Sequence, residues 1–297
     1  METSDAVAAR FSSALSTYEE HARVQREAAD HLTERLLSLR TSFGRVFEVG
    51  CGTGRWSRTL AARADIDALW LNDLSPELTS EARQRLPEAV REKTGVLAGD
   101  AERVVWPEGL DLVLAGSVLQ WFSRPEAFFE NLRRRLRPGG LAAVVTYGPE
   151  NCREVKALTG RGLAYPDAET LLRSAADFRV HHRSEEIRRE RFATPRAVLR
   201  HLRATGVTGT HDGFRWTKRS LFAFEEAYRA RFAADDYRIY QACHRIFPYR
   251  QDVLPMHRQA YSQNKLENIL ASLGWSLHHQ RRQHTYHVLL DIHIQYY

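Results

Sequence analysis

The chain has 297 residues, a formal net charge of +6, 43% hydrophobic and 27% charged side chains. This is a globular composition, long enough for one large α/β domain or two small ones, and no apolar run approaches the ~20 residues needed to cross a bilayer. The three cysteines, Cys51, Cys152 and Cys243, are far apart and form no Cys-x-x-Cys pair. That argues against a disulfide framework and a zinc site, and no metal is expected. The modest positive charge would suit an acidic macromolecular partner but does not by itself indicate nucleic acid. The opening Met-Glu-Thr-Ser-Asp lacks a basic and then apolar leader pattern, so a cytoplasmic location away from membranes is expected.

From about Asp5 to Arg40 the chain reads as helix, free of Gly and Pro. Tyr18, His21, Ala22 and Gln25 fall at i, i+3, i+4 and i+7, one face of that helix. Ala28, Ala29, Leu32 and Leu36 continue an apolar stripe. The helix is either docked on the core or a lid whose polar face closes over a ligand. A strand at Arg45–Val49 then runs into Gly50, Gly52 and Gly54, followed by a helix through Arg63. Glycine has no Cβ, so such a turn tolerates positive φ and lets backbone N–H groups approach a ligand closely. Glu48 at the strand end would repel a pyrophosphate but suits the ammonium of an amino-acid ligand. The Gly-x-Gly-x-Gly spacing also differs from the Gly-x-Gly-x-x-Gly of dinucleotide sites.

Strand and helix alternate from here, the pattern of a parallel sheet covered on both faces. Strands are read at Ala68–Asn72, Gly95–Ala98, Asp111–Ala115 and Leu141–Tyr147. Ser75-Pro76 supplies an N-cap and an N1 proline. A helix from Ser123 to Arg137 is expected to stop at Pro138-Gly139-Gly140. Ligands of such sheets bind outside the carboxyl ends of the strands, beside strand one. Asp73 ends strand two, where a carboxylate can accept both hydroxyls of a ribose, which a nicotinamide dinucleotide would equally want. Asp100 and Ala101 end strand three and can offer the adenine edge an acceptor and a backbone donor. Each aspartate alone could equally be a helix cap. Three acidic strand ends around one glycine turn favour S-adenosylmethionine, with Leu74 and Ser117 completing the expected cofactor set.

The stretch Val46-Phe-Glu-Val-Gly-Cys-Gly-Thr-Gly54 resembles motif I of class I S-adenosylmethionine-dependent methyltransferases. The resemblance narrows further along. Arg10-Phe11-Ser12, Tyr18-Glu-Glu-His-Ala22, Gln25, Leu119-Gln-Trp-Phe122 and Tyr147-Gly-Pro-Glu-Asn151 are similar to segments of the malonyl-acyl-carrier-protein O-methyltransferases of biotin synthesis. His201–Val207 and Thr285–Leu290 look like further family landmarks, whereas residues 233–283 intervene without a family counterpart. The resemblance implies an α/β, doubly wound, mostly parallel seven-stranded sheet. A helical lid (1–40) would precede the cofactor-binding core (41–150), and a helical substrate- or carrier-binding insertion with closing strands (151–297) would follow it. The chain is expected to act as a monomer.

The implied reaction moves a methyl group from S-adenosylmethionine to the free carboxylate of a malonyl thioester, on carrier protein or coenzyme A, leaving S-adenosylhomocysteine. A malonyl carboxylate is already ionised at neutral pH, so neither general base nor metal is required. Charge is annihilated along the path, so a dry pocket and neutral donors are preferred over an arginine grip on the nucleophile. Tyr18 (also beside the cofactor), His21, Gln120 and Tyr147 are the expected donors, and Trp121 with Phe122 would exclude water or merely plug the core. Arg196, Arg200 and Arg203, at i, i+4 and i+7 of one helix, form either a docking face for an acidic carrier or a solvated surface. Other possibilities are methylation of a different small acid such as trans-aconitate, and a protein-binding factor that keeps the fold without methylating.

Overall fold

The structure, a computed structural model, describes residues 8, 21–206, 216–232, 237–249 and 287–289. In chain order the elements are α1 (Arg23–Leu39), β1 (Ser42–Val49), α2 (Arg55–Ala61), β2 (Asp65–Asp73), α3 (Pro76–Gln84), α4 (Glu88–Arg91), β3 (Thr94–Ala98) and β4 (Leu110–Gly116). A 3-10 turn (Leu119–Trp121) follows, then α5 (Pro125–Arg135), β5 (Leu136–Tyr147), α6 (Arg153–Thr159), α7 (Ala168–Ser174), β6 (Arg179–Phe192), α8 (Pro195–Ala204), α9 (Lys218–Phe232), β7 (Tyr237–Tyr249) and β8 (His287–Leu289).

The strands form one sheet in the order β3-β2-β1-β4-β5-β7-β6-β8. β3 through β5 are parallel, and β7 runs antiparallel between β5 and β6. This is the expected doubly wound, mostly parallel architecture, with eight strands among the described residues. The strand between β5 and β6 comes from Tyr237–Tyr249, inside the stretch that had no family counterpart. His287–Leu289, in the segment read as a closing landmark, pairs at the outer edge beside β6. The insertion after β5 carries helices, as expected, and also the 14-residue strand β6.

Burial on both faces explains the near-continuous apolar strands. Val46 and Leu112 face one layer, with α1 and α2, while Phe47, Val49 and Val113 face the other, with α5. The chain does not leave α5 at Pro138-Gly139-Gly140. The helix ends at Arg135, and those residues lie inside β5 where its register with β4 shifts between Leu110 and Leu112. A Cβ at Gly140 would sit 2.7 Å from the Leu110 carbonyl oxygen, so glycine serves close strand approach there rather than helix termination.

The α1 helix is bolted to the core. Ala28, Leu32 and Leu36 are fully buried, and the Trp56 indole N–H donates to Thr33 Oγ1 at 3.0 Å between two buried residues. Arg55 reaches Asp30 at 2.8 Å, and Arg63 pairs with Glu34. At its other end Arg23 pairs with Glu190 of β6 at 2.7 Å, and Arg188 of β6 approaches Glu27 at 3.5 Å. Thr33→Val keeps the shape but strands the indole donor, so a loss of about 1–3 kcal/mol is expected, readable as a lower urea midpoint at unchanged slope.

Candidate active site

β1 is flanked by β2 on one side and β4 on the other, and the chain fills one half of the sheet before returning to the other. Crevices open at such reversal points, outside the carboxyl ends of the strands. A cleft lies there, lined from the sheet by Glu48, Gly50, Cys51, Gly52, Gly116, Ser117 and Val145. Its roof is the face of α1 carrying Gln25, Arg26 and Ala29, with Ala22 just before it. The helical face read from Ala22 and Gln25 therefore covers the glycine turn.

The three glycines all have positive φ, at 65°, 51° and 70°, yet do different work. A Cβ at Gly50 would meet Val118 at 2.7 Å. At Gly52 it would meet nothing within 4 Å and would stand in the cleft. Gly54 was expected to line the cofactor site, but it is turned the other way: its Cβ would collide with Ala82 of α3, 2.7 Å from that Cβ. Gly54 is a packing and helix-capping residue at the start of α2.

Two of the three acidic strand ends, Glu48 and Asp73, meet at this turn, whereas Asp100 does not line the cleft. Glu48 is buried and accepts from Ser57, through the hydroxyl and through the backbone N–H at 3.2 Å. Burial outweighs those bonds, and the nearby Asp73 adds to it, pushing the Glu48 carboxyl up to about 8. Glu48 is thus neutral at pH 7 until a cation draws the proton off, which refines its reading as a ready-made carboxylate. Asp73 accepts from Gly52 N–H at 2.9 Å and from Ser75 N–H at 3.2 Å, and burial raises its carboxyl pKa as well. One oxygen of Asp100 accepts from Glu102 N–H at 2.9 Å. The Ala101 carbonyl accepts the Trp106 indole N–H at 2.9 Å. Leu74, like Asp73 and Ala101, lies outside the cleft lining. Cys51 is buried, and its thiol is pushed well above its ordinary value by burial and by Asp73, which leaves it unsuited to nucleophilic work.

The acceptor side differs more from expectation. Ser117 does line the cleft, held at φ 56° with its N–H on the Val145 carbonyl. Gln120 does not line it. Its amide donates to the Ser117 carbonyl at 2.6 Å, and its oxygen accepts from buried Thr146 at 3.1 Å, so it fixes the loop from behind. Trp121 and Phe122 also lie outside the lining, and Phe122 packs edge-on against Phe128 of the core. His21 is exposed and sits 6.0 Å, ring to ring, from His201 of α8. Tyr18 lies outside the described residues.

Tyr147 is buried at the end of β5, and its hydroxyl accepts from Gln25 Nε2 at 2.5 Å. This bond ties the roof to the sheet beside the cleft. Gln25, which carried no assigned role in the sequence, is therefore a site residue. Its signal was the i+7 spacing from Tyr18.

Open backbone around Gly52, a buried acidic floor and a polar roof fit an adenosyl amino acid with a cationic end. Among the described residues no group of three metal-ligating side chains occurs. The fold and this crevice define a class I S-adenosylmethionine-dependent methyltransferase, and residues 47–144 match the methyltransferase-domain family model. The YcgJ protein of Bacillus subtilis shares the fold, with a TM-score of 0.52 over 75% of this chain and all of that one, at 12% identity. Within that class the chain belongs to the malonyl-[acyl-carrier protein] O-methyltransferase family. It is 36% identical to the Bacteroides helcogenes member over 251 residues, 77% of this chain and 90% of the relative. It is 39% identical to the Bacteroides fragilis member over 230 residues, 76% of this chain but only 46% of that longer protein.

Proposed function

We propose that this protein transfers the methyl group of S-adenosylmethionine to the free carboxylate of a malonyl group carried as a thioester on acyl carrier protein, capping it as a methyl ester. The observation that carries this reading is the 36% identity across nine-tenths of a relative bearing that name, joined to a cleft with the matching chemistry. The family also favours this reading over methylation of trans-aconitate and over a non-catalytic factor.

Bound S-adenosylmethionine supplies a methyl carbon on a sulfonium. The residues of this chain bind, orient and exclude water. Gly50 and Gly52 admit the amino-acid end, Glu48 takes its ammonium, and Asp73 with Leu74 and Asp100 with Ala101 receive ribose and adenine. The malonyl oxygen forms the new bond to carbon as the carbon–sulfur pair returns to sulfur, and no proton moves. Tyr147, fixed by Gln25, offers a neutral hydroxyl on the acceptor side, with Tyr18 as a second one from the segment preceding α1. Gln120 positions Ser117 rather than touching substrate. Arg26 and Arg55 also line the cleft, but neither is assigned to the nucleophilic oxygen, because a cation held on that oxygen would favour the separated charges over the transition state.

The carrier would meet α8. Arg196 pairs with the buried Glu225 of α9, so its charge is already engaged. Arg200 and Arg203 on the same helix are exposed. Reversing both to glutamate is expected to raise KM for malonyl-carrier protein about tenfold, with a steep salt dependence, and to leave a small malonyl thioester unaffected. Steady-state assays on the two substrates separate docking from a solvated surface. The reaction itself is tested by incubating the protein with methyl-labelled S-adenosylmethionine and malonyl-carrier protein and weighing the carrier. A carrier without the added methyl, alongside turnover of trans-aconitate, would overturn the proposal.

A further inference from the structure

S-adenosylmethionine brings a sulfonium, an ammonium and a carboxylate into the cleft. Glu48 answers the ammonium from the floor, and the carboxylate still needs donors. The glycine turn would be the natural supplier, but its backbone is largely spent on the protein itself. Cys51 N–H donates to the Asn72 carbonyl at 2.8 Å, Gly52 N–H to Asp73 at 2.9 Å, and Gly54 N–H to the Cys51 carbonyl at 2.8 Å. The turn gives the ligand room, with nothing within 4 Å of a Cβ built at Gly52, rather than a cradle of N–H groups.

Cations line the same cleft, Arg26 from the roof and Arg55 from the start of α2. Arg55 directs one terminal nitrogen at both oxygens of Asp30, at 2.8 and 3.1 Å, so its charge is balanced within a pair that pins α2 to α1. Arg26 is placed differently. Ala22, Arg26 and Ala29 fall at i, i+4 and i+7 and all line the cleft, so one long cationic side chain stands between two short ones. The roof is held on either side of it, by Gln25 on Tyr147 and by Asp30 on Arg55. A guanidinium so placed presents a fork of donors that matches a carboxylate.

Resting on the S-adenosylmethionine reading of the cleft, and independent of the acceptor's identity, we propose that Arg26 binds the carboxylate of the cofactor's amino-acid end. The zwitterion then spans the cleft, its ammonium on Glu48 of the floor and its carboxylate on Arg26 of the roof. Such a contact also accounts for a cation in a site whose reaction annihilates charge. The cofactor carboxylate is unchanged by methyl transfer, so an arginine neutralised by it binds ground state and transition state alike. The same guanidinium on the malonyl carboxylate would hold the charges apart.

Decarboxylated S-adenosylmethionine keeps the sulfonium and the ammonium and lacks only the carboxylate. Titrated calorimetrically into the full chain, S-adenosylmethionine is expected to bind at least about tenfold tighter than this analogue, the scale of a charge-assisted contact. Arg26→Met is expected to bring the two within about twofold by weakening S-adenosylmethionine, with the analogue unaffected. Should that variant fail to fold, Arg26→Gln carries the comparison. Arg55→Met, which frees α2 from Asp30, is expected to lower both affinities together and keep the gap. Equal binding of the two molecules by the unmodified protein overturns the assignment. So does a gap that survives loss of the Arg26 charge, or one that closes in Arg55→Met instead. No acceptor enters these titrations, so a carrier that is not methylated leaves them standing. Binding of neither molecule would sink the S-adenosylmethionine reading itself, and the role of Arg26 with it.

Discussion

Glu48→Gln is expected to make the ligand-free protein more stable at pH 8 and to cripple its binding of S-adenosylmethionine. The carboxyl is buried beneath the glycine turn, and its pKa rises from the ordinary 4.5 to about 8. A carboxyl raised by folding favours the folded state fully below its unfolded pKa, and that contribution is lost as pH climbs through the folded value. For Glu48 the window runs from about pH 4.5 to 8. The loss across it is on the order of 4–5 kcal/mol, most of it already incurred at neutral pH. Glutamine can still accept from Ser57 and carries no charge to desolvate. Thermal midpoints of variant and parent should therefore coincide near pH 5 and separate by several degrees at pH 8, the variant higher. Coincident curves at every pH would show that Glu48 titrates normally in the fold.

The same proton couples to ligand binding. An ammonium beside Glu48 favours the ionised carboxyl, so binding at pH 7 should release close to one proton. Calorimetry in buffers of different ionisation heat measures this directly. Between pH 6 and 7 the affinity should tighten by up to about tenfold, because each unit below the carboxyl pKa must be overcome by the ligand. The variant should bind on the order of a hundredfold more weakly, with no proton released. Binding without proton release in the parent would place the ammonium elsewhere.

The parts of the site that were legible in the sequence are those whose chemistry is local. Gly50, Gly52, Glu48 and Asp73 sit at strand ends marked by a change of hydrophobic period, and parallel pairing brings such ends together whatever the loops do. The N-cap at Ser75 was legible for the same reason, and its hydroxyl accepts from Leu78 N–H at 3.2 Å. What could not be read depended on distant partners. Gln120 looks like an exposed loop amide until Thr146, from the next strand, is seen bonded to it. His21 shares a helical face with Gln25 on a regular wheel, but the helix is interrupted at Ala22, with ψ 47°, and His21 turns toward α8 instead. Pro138-Gly139-Gly140 misled because glycine serves a close strand approach as readily as a helix end, and only the Leu110 carbonyl decides between them.

Gly52→Ala and Gly54→Ala, two residues apart in one motif, are expected to fail in opposite ways. At Gly52 the φ of 51° costs an alanine about 1–2 kcal/mol, and the added methyl touches no protein atom within 4 Å. The variant should fold with a thermal midpoint lowered by a few degrees. That methyl stands in the cleft where the backbone must approach the ligand, so affinity for S-adenosylmethionine should fall at least a hundredfold. At Gly54 the φ of 70° adds a similar strain, and the methyl would lie 2.7 Å from Ala82 Cβ and 3.2 Å from the Ala82 carbonyl oxygen. Ala82 is fully buried on α3, so relief requires α2 and α3 to separate, and overpacking of this kind costs roughly 1–3 kcal/mol or more beyond the strain. Gly54→Ala should therefore be the less stable protein by several degrees, yet whatever remains folded should retain most of its affinity. Ala82→Gly in that background removes the nearest contact and should restore part of the stability, while in the Gly52→Ala background it should restore no binding. If instead Gly54→Ala loses binding at an unchanged midpoint, the glycine faces the ligand after all; the packing of α2 on α3 at Ala82 predicts the reverse.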